Sequence, residues 1–284
     1  MIEVLKAVLF GIVEGITEWL PVSSTGHLIL PNEFINLNVS DEFQSMFDVV
    51  IQLGAILAVC ALFFRKLNPF DSGKNEQQKK QTWSLWFKVI AAIIPSGIVG
   101  VLFDDWMDAH LHNGIVVSIA LIVYGVAFIL VEKRNEHREM RIHDVHDIPL
   151  STAMVIGLSQ CLSLVPGTSR SGSTILGGML CGMSRPAASQ FTFFLAIPVM
   201  AGASLLKLVK FFGKGNSFTL DQTVVLIVGC AVAFIVSIIA IRFLMDYVKR
   251  HTFTAFGVYR TALGIVVLVI WGVQTFVLKA PAAV

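Results

Sequence analysis

The sequence predicts an all-α polytopic membrane protein built as an inverted-topology repeat, with six transmembrane helices plus two re-entrant helix pairs. Three observations carry that expectation. The 284 residues are 55% hydrophobic and only 14% charged, with a mean hydropathy of +0.77, against about 25% charged residues in soluble domains. Six segments are apolar over lengths that suit a hydrocarbon layer of about 30 Å. Two further regions read as short apolar helix, polar break, short apolar helix, and each heads one of two halves that resemble each other.

In chain order, residues 5–20 are apolar and end at Pro21; after Ser23-Ser24-Thr25-Gly26-His27 a second short piece, 28–37, follows. A helix that stops at a proline and resumes beyond a hydroxyl-rich turn is expected to dip into the bilayer and return. Crossings are expected near 47–64, 87–103 and 114–131. The second half repeats the plan. Residues 153–165 end at Pro166, 175–183 follow a serine-rich turn, and crossings are expected near 188–208, 223–244 and 255–278. Gly15-Ile-Thr-Glu-Trp-Leu aligns with Gly157-Leu-Ser-Gln-Cys-Leu, and Phe47-Asp-Val-Val-Ile-Gln-Leu with Phe191-Thr-Phe-Phe-Leu-Ala-Ile, at nearly one offset. An odd number of crossings per half turns the second half upside down. The chain is read as a single membrane domain over 1–284, with a first repeat over 1–140 and an inverted second repeat over 150–284.

Charge bias orients the array. Arg65, Lys66, Lys74, Lys79, Lys80 and Lys88, then Lys133, Arg134, Arg138 and Arg141, follow the first and third crossings, and Lys249 and Arg250 precede the last. The opposite stretch Asp104-Asp-Trp-Met-Asp108 lacks Lys and Arg, while Lys207, Lys210 and Lys214 form an exception. Basic loops belong in the cytoplasm, so both termini are expected outside. The first re-entrant pair then enters from outside and the second from the cytoplasm, bringing Glu14, Glu18, Ser24 and His27 towards Arg170. The net charge of +2 is uninformative, and no basic stripe suggests a nucleic-acid partner, so none is expected. Cys60, Cys161, Cys181 and Cys230 lie in apolar runs without metal-type spacing and are expected to be reduced packing residues. The N-terminus has no basic n-region or small-residue cleavage site and is not read as a removable signal peptide.

Polar residues at bilayer depth are costly and tend to line a cavity. Glu14 and Glu18 are four apart and share a helix face. They suit Mg²⁺ or Ca²⁺, which take oxygen ligands, in preference to the alternative of a proton relay or helix-packing pair, which burial in lipid argues against. Ser23, Ser24 and Thr25 follow Pro21 and serve either as helix caps or, with His27 nearby, as a nucleophile beside its base. Arg170 offers a planar donor fork to phosphate, or pairs with a membrane carboxylate. Gly167 and Gly172 admit close approach of a ligand, and Thr168, Ser169, Ser171, Ser173 and Thr174 supply hydroxyls at a helix start, where anions bind. Gln52 and Gln160 line the cavity or make interhelical hydrogen bonds. Gly11-xxx-Gly15 and Gly178-xxx-Gly182 are spacings for close helix approach.

At these residues the chain resembles the undecaprenyl-diphosphatase family, also known as bacitracin-resistance proteins. The match lies in Glu14-Gly-x-Thr-Glu18-Trp-Leu-Pro-x-Ser-Ser-Thr-Gly-His27 and Pro166-Gly-x-Ser-Arg-Ser-Gly-x-Thr174, with no departure at motif positions, and it covers nearly the whole chain. The resemblance implies hydrolysis of a C55 polyprenyl diphosphate lipid to the monophosphate carrier of cell-wall synthesis, and hence bacitracin resistance. It implies a divalent cation and a homodimer in the bacterial cytoplasmic membrane, with the site opening to the outer face. The functional positions carried over are Glu14, Glu18, Ser24, His27 and Arg170, with Ser169 and Thr174 as phosphate neighbours. The expected assignment is Ser24, His27, Glu18 and Arg170 for catalysis and Glu14 with Glu18 for metal. Thr25, Thr168, Ser169, Ser171, Ser173 and Thr174 are expected to bind substrate. Either Ser24 attacks with His27 as base, or Glu or His activates water. A lipid-carrier transporter or flippase is the alternative, since broken helices and midplane polar residues also mark transporters. A lipid phosphatase of the other type requires a His separated from a Ser-Arg pair by five residues; after Ser169-Arg170 that place is Leu176, so the pattern fails.

Overall fold

The computed structural model describes residues 1–24, 27, 37–111 and 113–273, and these are helical, with no strand among them. In order they form α1 (Ile2–Thr17), α2 (Asp41–Val50), α3 (Gln52–Leu62), α4 (Phe64–Leu67), α5 (Glu76–Leu111) and α6 (Gly114–Asn135). The second half contributes α7 (Leu150–Cys161), α8 (Arg170–Leu180), α9 (Arg185–Gly213), α10 (Leu220–Arg250) and α11 (Thr254–Gly272). Six stretches are long and apolar enough to cross a membrane: Asp41–Leu62, Glu76–Phe103, Gly114–Asn135, Arg185–Gly213, Leu220–Arg250 and Thr254–Gly272. The chain is a multi-pass membrane protein. By contrast α1, with 16 residues, and α7, with 12, fall short of the roughly 20 that a span needs.

The six expected crossings are present, but their ends differ from the apolar windows. Side-chain caps rather than hydropathy set several starts: Ser40 caps Phe43, Asn113 caps Val116, Ser184 caps Ala187, and Thr219 with Gln222 forms a capping box. The first crossing therefore begins at Asp41 and changes helix at Ile51. Helix α5 runs from Glu76 to Leu111, so Lys79, Lys80 and Lys88 and the stretch 104–108, all expected in loops, are helical. Charged residues are good helix formers and do not end a helix as they end an apolar window. Helix α8 starts at Arg170 rather than 175 because Ser169 accepts the Gly172 amide as its cap. The second piece of the first re-entrant pair, 28–36, and the tail from 274 lie outside the described residues.

Packing between the halves is reciprocal. Helix α1 lies along α10, while α7 lies along α5; α6 pairs with α11, and α3 with α9. The expected Gly11–Gly15 spacing works at the first of these contacts, where an added Cβ would come within 2.7 Å of the Gly229 carbonyl oxygen. Helix α8 is enclosed by α6, α7 and α9, and its residues Ser171 to Met179 are all buried. Phe193, Phe194, Trp19 and Ile175 belong to the main core, and Phe10, Phe43, Phe47 and Phe211 to a second. Outward faces carry exposed Ile98, Leu205, Ile227 and Ile239, as lipid requires. The four cysteines are free thiols, half-buried.

Candidate active site

Helix α1 delivers the first polar run. Glu14 is fully buried, and neither of its carboxylate oxygens has a hydrogen-bond partner among the described residues. Glu18 stands one turn later at the end of the helix, its amide bonded to the Glu14 carbonyl. Trp19 anchors this corner edge-on to Phe193, with ring centroids 5.2 Å apart. Beyond Pro21 the chain passes through Ser23 at φ +75°, and Ser24 Oγ then donates to Glu18 Oε2 at 3.3 Å.

The second run is positioned by α7 and α8. Gly167 turns at φ +89°, and a Cβ there would lie 2.6 Å from the Val117 carbonyl oxygen. Ser169 follows at φ +69°. Ser23 and Ser169 are the non-glycine residues with positive φ among the described residues, one per run, each directly before a helical residue. Such backbone costs of order 1–3 kcal/mol and collects at functional sites. Ser169 Oγ caps Gly172 and lies 3.1 Å from Ser171 Oγ. Ser173 and Thr174 both donate back to the Arg170 carbonyl, at 3.1 and 2.9 Å. Thr192 donates to Thr174 Oγ1 at 2.9 Å, and Thr168 is buried.

The two runs meet. Arg170 Nη2 pairs with Glu18 Oε1, so one carboxylate holds Ser24 by one oxygen and Arg170 by the other. The same nitrogen lies 2.8 Å from Met200 Sδ. Ser171 Oγ donates to the Leu20 carbonyl at 3.3 Å, a second link between runs. Of the expected residues, Glu14, Glu18, Ser24, Arg170 and Ser171 thus come together, whereas Ser24 and His27 do not. His27 Nδ1 is 2.7 Å from the Ser23 carbonyl and Nε2 is 2.6 Å from the Tyr259 hydroxyl, against which the ring also stacks. A carbonyl only accepts, so Nδ1 carries the proton and Nε2 accepts from Tyr259. Thr25 lies outside the described residues. Gln160, aligned with Glu18, donates to Ser96 Oγ at 2.6 Å and is an interhelical tie.

Two contributors escape the motifs. Tyr259 is one; the other is its neighbour Arg260, fully buried in α11, which donates from Nη1 to the Pro21 carbonyl at 3.0 Å. Its Nη2 donates to the Gly167 and Thr168 carbonyls, each at 2.8 Å. A lone arginine inside an apolar span was the available signal, since charge at that depth marks function. Beside His27 a groove of about 700 Å³ opens between α1, α10 and α11, lined by Ile12, Ile16, Leu20, Phe243, Phe256 and Tyr259. As for metal, no cluster of three or more His, Cys, Asp or Glu side chains forms among the described residues. Glu14, with both oxygens unpartnered, and Glu18 one turn on, whose oxygens hold Ser24 and Arg170, nonetheless fit a hard cation that keeps one or two protein carboxylates and takes its remaining oxygens from phosphate and water.

Comparison with known proteins follows the same outline. The family model described as "Bacitracin resistance protein BacA" matches residues 7–266, which brackets the site from Glu14 to Arg260. A relative from Enterococcus faecalis named undecaprenyl-diphosphatase is 55% identical over 266 residues, 94% of this chain and 96% of the relative. Relatives of the same name from Streptococcus thermophilus and Limosilactobacillus fermentum are 57% and 56% identical, each over 94% of this chain and over 93% and 97% of their own lengths. With a matching family model and relatives above half identity across both polar runs, the chain belongs to the bacitracin resistance protein BacA family.

Proposed function

We propose that this chain hydrolyses undecaprenyl diphosphate to undecaprenyl phosphate and inorganic phosphate, recycling the lipid carrier of cell-wall synthesis. The observation that carries the reading is Glu18, a single carboxylate that gathers a hydroxyl and a guanidinium from opposite runs, in a chain 55% and more identical to relatives named for that reaction.

The terminal phosphate takes the Arg170 fork in place of Glu18, because guanidinium pairs bidentately with phosphate oxygens. Glu18, released beside Ser24, accepts its proton. Ser24 Oγ forms the new bond to the terminal phosphorus as the bridging P–O bond breaks, and undecaprenyl phosphate leaves. Water then cleaves the phosphoserine to inorganic phosphate. Arg170 and the amides at the start of α8 face the charge that develops on the transferring group. In this reading Glu18 is the base, since His27 Nε2 is engaged by Tyr259. Glu14 with Glu18 would hold a divalent cation, Mg²⁺ or Ca²⁺, which when bound neutralises diphosphate charge. The apolar groove beside His27 suits the prenyl chain.

The wider arrangement belongs to the same proposal. Reciprocal packing of α1 on α10 and α7 on α5 supports an inverted repeat, and the short α1 and α7 support re-entrant pairs. The bias of the basic segments supports a site that opens towards the outer face of the bacterial inner membrane, and the family resemblance supports a homodimer.

The test is phosphate release from farnesyl or C55 diphosphate by the purified protein in detergent, with and without chelator. Release that stops with chelator and returns with Mg²⁺ or Ca²⁺ is expected. A protein that releases nothing from any prenyl diphosphate, yet moves the lipid monophosphate across vesicles, is a flippase instead. Labelled phosphate trapped on Ser24 after rapid quench supports the phosphoserine route. Near-normal turnover by Ser24→Ala hands the attack to water.

A further inference from the structure

Arg260 stands apart from the other arginines described around it. Arg170 is paired with Glu18 and Arg185 with Glu132. No ion pair to Arg260 forms among the described residues, although it is fully buried within an apolar helix. It is held instead by three backbone carbonyls, and its guanidinium lies 5.7 Å from the Tyr124 ring centroid. Carbonyls take up donors on Nη1 and Nη2 without cancelling its charge, while Nε has no partner among the described residues. A buried charge without a counter-ion is expensive, and nothing in helix packing alone calls for one at this place.

The carbonyls it chooses are informative. Pro21 lies two residues before Ser23 and Gly167 two residues before Ser169, the two strained serines. One guanidinium therefore grips the same position in both turns. A planar fork spans the two turns from two separate nitrogens, whereas an ammonium must donate from a single point. Gly172, in the first turn of α8, makes room for it, since a Cβ there would sit 3.1 Å from Nη1.

We infer that Arg260 is a positioning residue for the phosphate site, with two separable contributions. Its fork sets the spacing between the Ser24 turn and the Arg170 turn. Its uncancelled charge attracts the diphosphate, whose negative charge complements it. The inference rests on the proposed reading of the two runs as a phosphate site. A purely structural staple is the competing account, and it predicts lost stability with unchanged kinetics in whatever protein remains folded.

Replacing the charge and the fork one at a time distinguishes them. Arg260→Gln, Arg260→Lys and Gly172→Ala are purified in detergent, checked for monodispersity and thermal midpoint, and assayed for phosphate release from farnesyl diphosphate. For Arg260→Gln, KM rises about tenfold and kcat falls roughly 10²-fold, the scale of one lost electrostatic group. Arg260→Lys restores charge, so KM returns to within about threefold of wild type, while kcat stays at least about tenfold low because misplacement is itself costly. Gly172→Ala keeps Arg260 but shifts its nitrogen, and replacing a helical glycine favours folding by about 1 kcal/mol. It lowers kcat several-fold with KM unchanged and the thermal midpoint equal or higher. Folded Arg260→Gln with kcat and KM near wild type overturns the inference. If neither Arg260 variant is recovered folded, Gly172→Ala with wild-type kcat overturns it. Wild-type protein that releases no phosphate defeats the proposed function instead, a separate failure.

Discussion

The two polar runs each pass through a serine with positive φ directly before a helical residue, yet they are finished differently. In the second run the hydroxyls are committed: Ser169 caps Gly172, Ser171 reaches Leu20, and Ser173 and Thr174 bond the Arg170 carbonyl. In the first run both Glu14 oxygens lack partners among the described residues, and Ser24 is held by one long hydrogen bond. One run is a rigid seat, whereas the other keeps an unpartnered carboxylate and a lightly held hydroxyl. Preorganised donors favour the first role and unsatisfied groups the second, so the two runs divide the work between them.

The comparison breaks most sharply at the link between runs. Arg170→Ala should lower turnover by roughly 10²–10³ or more, read as phosphate release by folded protein. A variant retaining a tenth of wild-type activity, about a tenfold loss, would place the phosphate seat elsewhere. Next, Glu14→Gln tests whether the first run is left unsatisfied for function. Activity and cation response should fall about 10–100-fold, while the thermal midpoint rises because an unpartnered buried carboxylate is gone. A lower midpoint with normal activity would make Glu14 structural.

Thr192→Val probes the satisfied run. Thr174 keeps its bond to Arg170, so the variant should lose about 1 kcal/mol of stability, with kcat barely changed. A large fall in kcat would draw the Thr174 hydroxyl into the chemistry. The smallest effect belongs to a region distant from both runs. Burial pushes the Asp144 carboxyl up, but the His146 amide and the Lys66 ammonium outweigh it and hold the group below the ordinary carboxylate value. Its contribution is therefore present above the unfolded pKa of about 3.9 and is lost as pH falls through the lower folded value. Asp144→Asn should flatten the acid limb of the stability curve below about pH 4 without altering neutral turnover. An unchanged limb would show that the half-exposed pair contributes nothing.

The crossings were legible because apolar length is a direct requirement of the bilayer, and the motifs because Glu, His and Arg are conspicuous there. Helix ends were less so: Ser40 and Ser169 start helices through hydrogen bonds that a hydropathy window does not register. The partnering of His27 with Tyr259 rather than Ser24 depends on a helix 232 residues away, which local spacing cannot express. Arg260 was visible as a charge in an apolar span, but its reach to Pro21 and Gly167 exists only in three dimensions.

The lodging of α1 against α10 also governs how the chain is made. The ribosome emits Glu14 early and α10, Leu220–Arg250, near the end, a wait of roughly 10–50 s at about 5–20 residues per second. Through that interval the nascent first helix has no finished berth, and its carboxylates must stay at the water-facing edge of the insertion machinery. Assembly of this site is therefore a late event in biogenesis, and a polypeptide truncated before α10 carries the first motif without the surface that seats it.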